Sequence, residues 1–62
     1  MTDNEFIEKQ SEILFNHGLA NFFQFRYLIE DKGLLDEFES KYFDTDSKEE
    51  QLAIFESYIK MV

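Results

Sequence analysis

Few residues of this chain have side chains and spacings suited to catalysis. Histidine exchanges a proton near neutral pH, and the single His17 is therefore the first candidate for a base or a metal ligand. It stands just before Gly18 at the end of a helical pattern, where a histidine commonly stabilises the helix terminus. The four serines show no spacing typical of a nucleophile elbow. We therefore predict no catalytic residue, no enzyme activity and no cofactor.

The segment Asp44-Thr45-Asp46-Ser47-Lys48 begins like a calcium-binding loop, with carboxylates at its first and third positions. The fifth position is then Lys48, the sixth is Glu49 in place of glycine, and the twelfth is Phe55 in place of glutamate. The pattern fails at three positions, so we predict no metal site. The residues are better interpreted as a loop that caps the next helix.

The acidic residues are the more informative group. Residues 30–50 contain nine acidic and three basic residues, which gives −6 of the formal charge of −8. We predict that this acidic band binds a partner; its members are Glu30, Asp31, Asp36, Glu37, Glu39, Asp44, Asp46, Glu49 and Glu50. A concentrated negative surface attracts a basic partner and can imitate the phosphates of a nucleic acid. The alternative is that these charges only keep the protein soluble.

The same charge excludes several classes of function. Direct binding to nucleic acid and to anionic membranes depends on positive charge, so both are disfavoured. No apolar run approaches the length of a membrane span, and the start Met1-Thr2-Asp3-Asn4-Glu5 lacks the features of a signal peptide. We therefore expect a cytoplasmic protein whose partner is a basic protein surface.

Length and composition limit the fold to one small domain, residues 1–62. A chain of this size buries only about 60% of the surface that its unfolded form exposes. Without cysteine it has no disulfide, and the aromatic side chains (eight Phe and three Tyr) must supply much of the core. This number of rings is difficult to bury in one small domain. The second expectation is therefore a homodimer, with Phe23, Tyr27 and Tyr58 as self-association residues.

The elements that position these residues are predicted to be helices. Thr2 with Glu5 forms one capping box; Ser47 with Glu50, or Asp46 with Glu49, forms another. Apolar residues recur at helical spacing in the segments before Gly18, after Gly33 and after Ser47. The stretch Leu19–Ile29 is the most apolar window, and its alternation also fits a strand. No other segment alternates to pair with it, so we predict a central helix over residues 19–31 that is apolar nearly all round.

The predicted fold is therefore all-α, a compact bundle of three to four short helices around this central aromatic helix. The first hypothesis for function is a non-catalytic protein that inhibits or regulates a partner by occupying its basic, nucleic-acid-binding surface, in the manner of a phage-type inhibitor or a DNA mimic. The alternative is a self-associating helical adaptor or structural protein that acts through exposed aromatic side chains.

Overall fold

The computed structural model describes all 62 residues, of which 73% are helical, and contains no strand. The four helices are α1 (Asp3–Asn16), α2 (Phe22–Asp31), α3 (Leu35–Phe43) and α4 (Lys48–Ile59). The predictions of an all-α bundle and of a helix in the central stretch are confirmed. The Cα radius of gyration is 11.0 Å, close to the roughly 10.6 Å expected for a compact chain of this length.

Local sequence signals set most of the helix ends. Thr2 Oγ1 accepts a hydrogen bond from the Glu5 N–H, and Ser47 Oγ accepts one from the Glu50 N–H. Ser47, and not Asp46, is therefore the N-cap of α4. Gly18 and Gly33 follow α1 and α2 with φ of +74° and +73°. Both close the preceding helix in a Schellman motif, for which glycine is the favoured residue.

Helix α2 begins later than predicted, at Phe22 instead of Leu19. Asn21 is its N-cap, and the Asn21 Oδ1 accepts a hydrogen bond of 3.0 Å from the Gln24 N–H. Gln24 Oε1 in turn accepts a hydrogen bond of 2.7 Å from the Ala20 N–H. These reciprocal bonds resemble a capping box, and they satisfy two N–H groups at the start of α2 that have no partner within the helix.

The core is a cluster of aromatic rings from α2, α3 and α4. Phe25, Phe38 and Phe55 are completely buried, and the ring centre of Phe25 lies 5.0 Å from that of Phe38 and 4.7 Å from that of Phe55. Both contacts are edge-to-face, the arrangement that aromatic pairs prefer. Phe22 extends the cluster towards Tyr42, with ring centres 6.1 Å apart. Helix α4 packs against each of the other three helices.

Helix α2 is amphipathic, so the prediction that it is apolar and buried nearly all round is wrong. Phe25 and Ile29 are buried, whereas Phe23 is 65% exposed and Tyr27 is 68% exposed. The molecule measures 31 × 26 × 16 Å. Since the axes of packed helices lie about 8–10 Å apart, the shortest dimension holds at most two layers of helices. The body is therefore too thin to cover both sides of α2.

Candidate protein-binding surface

The acidic band of the sequence divides into three groups in the structure, according to what each carboxylate contacts. All nine side chains lie at the surface, and only Glu39 is half-buried. Some of them hold helices together, some cap α4, and the rest bond to no other side chain. The three groups differ in how freely they could meet a partner.

Glu37 and Glu39 lie on opposite flanks of α3, because residues two apart on a helix point about 200° apart. Glu39 Oε2 lies 3.4 Å from Arg26 Nη2 of α2, and Glu37 Oε2 accepts a 2.5 Å hydrogen bond from the Tyr58 hydroxyl of α4. These two carboxylates therefore tie α3 to its neighbours. Reversing their charge would disturb the fold as well as any binding surface.

Glu49 and Glu50 belong to the beginning of α4. Glu49 lies 3.4 Å from the Met1 amino group and accepts a hydrogen bond from Ser47 Oγ, and Glu50 accepts one from Thr45 Oγ1. The pKa of Glu49 is lowered, first by its own backbone N–H at the helix start and then by the Met1 amino group and Ser47. Both carboxylates also lie near the N-terminus of α4, where the positive end of the helix dipole stabilises negative charge.

The third group makes no hydrogen bond or ion pair with another side chain; its members are Glu30, Asp31, Asp36, Asp44 and Asp46. Four of them, all except the loop residue Asp46, stand on the hairpin formed by α2 and α3. Helix periodicity points them away from the buried side chains Phe25, Ile29, Phe38 and Tyr42. They are the carboxylates that a partner can engage at least cost to the fold.

Exposed aromatic side chains share that side of the hairpin. Phe23 and Tyr27, both predicted as contact residues, lie one turn apart on α2, and Phe43 at the end of α3 is 67% exposed. Phe43 was not predicted as a contact residue, although it falls one position outside the stripe of Phe38 and Tyr42, and that offset could have indicated it. The prediction of Tyr58 as a self-association residue is wrong, because its side chain is only 3% exposed.

The two helices run antiparallel, since Phe22 at the start of α2 packs on Tyr42 at the end of α3. Phe23 precedes Arg26 by three residues, and Phe43 follows Glu39 by four. The Arg26–Glu39 ion pair joins the two helices, so it lies in the seam between them. Because the helices run in opposite directions, Phe23 and Phe43 lie at the same end of this seam. We call this side the α2–α3 outer face; it comprises Phe23, Arg26, Tyr27, Glu30, Asp31, Asp36, Glu39, Phe43 and Asp44.

Tyr58 has a structural role on the opposite flank of α3. Its hydroxyl bonds to Glu37, and the Lys41 ammonium lies 5.7 Å from the centre of its ring. Burial and the bond to the Glu37 carboxylate raise the pKa of Tyr58. The neighbouring Tyr58 hydroxyl and the Glu37 carboxylate raise the pKa of Lys41. This cluster joins α3 to α4 and lies outside the α2–α3 outer face.

The other residues considered for chemistry have local structural contacts. His17 is the C-cap residue of α1, and its Nδ1 lies 3.0 Å from the Ile13 carbonyl oxygen. In the segment resembling a calcium loop, Thr45 and Ser47 bond to groups at the start of α4. Lys48 pairs with Asp3 at 3.0 Å.

Comparisons with protein-family models, with curated proteins and with solved structures gave no match to this chain. None of the four helices combines the length and the apolar character needed to cross a membrane.

Proposed function

We propose that this protein is a small acidic, non-catalytic binding protein that inhibits or regulates a partner by occupying its basic, nucleic-acid-binding surface. The observation that carries the proposal is the presence of Glu30, Asp31, Asp36 and Asp44 on the α2–α3 outer face without an intramolecular partner. The nearest cationic residue in sequence is Lys32 for the first three and Lys41 for Asp44. Within this proposal the protein acts in the cytoplasm, as a DNA mimic or a phage-type inhibitor does.

Electrostatics favours these four carboxylates as the contact over Glu37, Glu39, Glu49 and Glu50, which bond within the protein. A carboxylate that already bonds within the protein must give up that bond to meet a partner, whereas a solvated one loses only water. The formal charge of −8 adds a long-range attraction that raises the association rate with a basic surface. Such attraction weakens as salt shortens the Debye length from about 10 Å at 0.1 M to about 3 Å at 1 M.

The test is an affinity capture that uses the protein as bait in a lysate of the cells that naturally produce it. Two charge-reversed variants of equal net charge are compared with the wild type. Asp31→Lys with Asp44→Lys alters the α2–α3 outer face at two helix C-termini, where lysine is favourable for the helix dipole. Glu8→Lys with Glu12→Lys alters the solvent side of α1 and serves as the control.

A basic, nucleic-acid-binding protein should be retained by the wild type and by the α1 control, lost from the α2–α3 variant, and displaced by duplex DNA. Equal retention by both variants would contradict the proposed surface. Retention that duplex DNA does not disturb would contradict the proposed nucleic-acid-binding target.

Self-association is a second candidate function, favoured by the exposure of Phe23 and Tyr27. Two copies that met through these rings would also bring their carboxylates together, so the dimer should form more readily at high salt. Sedimentation velocity over a range of concentrations separates the candidates. A dimer that Phe23→Ala and Tyr27→Ala together dissociate supports self-association, and a monomer at all concentrations and salt levels rejects it.

A further inference from the structure

We infer that the partner segment bound by the α2–α3 outer face carries arginine side chains, which stack on the exposed aromatic rings while they bond to the neighbouring carboxylates. This inference rests on the proposed function and adds the chemistry of the partner. It depends on the aromatic rings, which the charge of the protein does not explain.

Of the three exposed rings on the α2–α3 outer face, two have a carboxylate within about one helical turn. Tyr27 precedes Glu30 by three residues and Asp31 by four, so these side chains are neighbours on the surface of α2. Phe43 is followed directly by Asp44, the C-cap of α3. The rings of Tyr27 and Phe43 are 68% and 67% exposed, which leaves their faces open to solvent. Aromatic and acidic groups therefore alternate over one continuous side of the hairpin.

A shallow depression continues this pattern where α2 passes into α3. Its volume is about 260 Å³, and it is lined by Glu30, Gly33, Leu35 and Asp36. Two carboxylates and one apolar side chain thus face the same open space. The tip of one long cationic side chain can place its charge between the carboxylates and its methylene groups against Leu35.

Arginine fits this combination better than any other residue type. Its planar guanidinium stacks on an aromatic face, is less strongly hydrated than an ammonium, and can offer paired N–H donors to a carboxylate. An apolar partner would bury the four unpaired carboxylates without compensation. A second copy of this chain would oppose carboxylate to carboxylate across the contact.

The decisive experiment compares two peptides of the same length and charge by isothermal titration calorimetry. One peptide alternates arginine with alanine, and the other has lysine at every arginine position. The protein is used as wild type, as the double variant Tyr27→Leu with Phe43→Leu, and as the control Phe15→Leu. Leucine keeps an apolar side chain but has no ring, and Phe15 is an exposed ring on α1. Far-UV circular dichroism verifies that all three proteins are equally helical.

The arginine peptide should bind the wild type and the Phe15→Leu control about fivefold or more tightly than the lysine peptide, as expected for one or more stacked guanidinium groups. The double variant should bind both peptides with the affinity of the lysine peptide. Equal affinities in the wild type, or an arginine preference that survives in the double variant, overturn this inference alone. Failure of the wild type to bind either peptide at low salt overturns the proposed function together with it.

Discussion

Arg26 of α2 and Glu39 of α3 form an ion pair of 3.4 Å across the seam of the α2–α3 outer face. Arg26 is the only arginine of the chain, and both side chains are about one third exposed. An ion pair at this level of exposure contributes only about 0–1 kcal/mol to stability. Its larger consequence is electrostatic, because it neutralises the one cationic side chain on α2 beside the exposed rings of Phe23 and Phe43.

The substitution Arg26→Gln should therefore strengthen binding to a basic partner. It releases the Glu39 carboxylate and makes the α2–α3 outer face more negative by one charge. We expect the lysine peptide to bind severalfold more tightly at low salt, and the difference to shrink at high salt. Calorimetric titration measures both. The matched control is Lys9→Gln on α1, which makes the same change in net charge at a distance and should have the smaller effect; equal effects would argue against this face.

Phe25 and Phe23 test which side of α2 faces the core. Phe25→Ala removes a completely buried ring and should cost about 3–5 kcal/mol. Since a chain of this length has a total stability of roughly 3–9 kcal/mol, much of the variant should be unfolded. Phe23→Ala alters a side chain that is 65% exposed and should change the stability by less than about 0.5 kcal/mol. Urea unfolding followed by circular dichroism compares them, and similar losses would contradict the assigned face.

Gly33 should tolerate asparagine better than alanine. Its φ is +73°, a conformation that costs a residue with a Cβ atom about 1–2 kcal/mol, and no atom beyond the adjacent residues lies within 4 Å of the position of an added Cβ. The cost of Gly33→Ala should thus come from backbone strain alone. Asparagine adopts this conformation more readily, so Gly33→Asn should lose less stability. Equal unfolding midpoints for the wild type and Gly33→Ala would exclude the left-handed turn between α2 and α3.

The Tyr58–Glu37 contact makes stability depend on alkaline pH. The pKa of Tyr58 is raised above its ordinary value of 10.0 by burial and by the bond to Glu37. Its contribution is therefore fully present below pH 10 and is lost as the pH rises through the higher pKa of the folded state. Burial likewise raises the pKa of Tyr42, so both tyrosines contribute to the loss. Tyr58→Phe should cost about 1 kcal/mol at neutral pH and should weaken the alkaline loss. Urea midpoints at neutral pH and above pH 10 measure both effects, and an unchanged pH dependence in the variant would contradict the assignment.

Much of the fold followed from local signals in the sequence. Thr2, Ser47, Gly18 and Gly33 mark helix ends through backbone bonds that involve neighbouring residues only. The start of α2 was missed because Asn21 and Gln24 form a cap with asparagine and glutamine, which is less conspicuous than Ser47 with Glu50. An Asn followed by Gln three residues later could have indicated it.

Residues distant in sequence decide which side of α2 is buried and which contacts each carboxylate makes. Because most of α2 is apolar or aromatic, its own pattern does not select one buried side. The selection is made by Phe38 and Phe55, which pack on Phe25. In the same way, Glu37 bonds to Tyr58, which lies 21 residues away. Spacing along the chain therefore could not separate the carboxylates that hold the fold from those that are free.

The most direct test of the α2–α3 outer face as the binding surface is a titration of the isotope-labelled protein with the arginine peptide, followed by amide chemical shifts in NMR spectra. The largest changes should fall within residues 23–31 and 36–44, while the amides of Glu8 and Glu12 on α1 should hardly move. If the largest changes lie on α1, or are spread evenly over all four helices, then the α2–α3 outer face is not the binding surface.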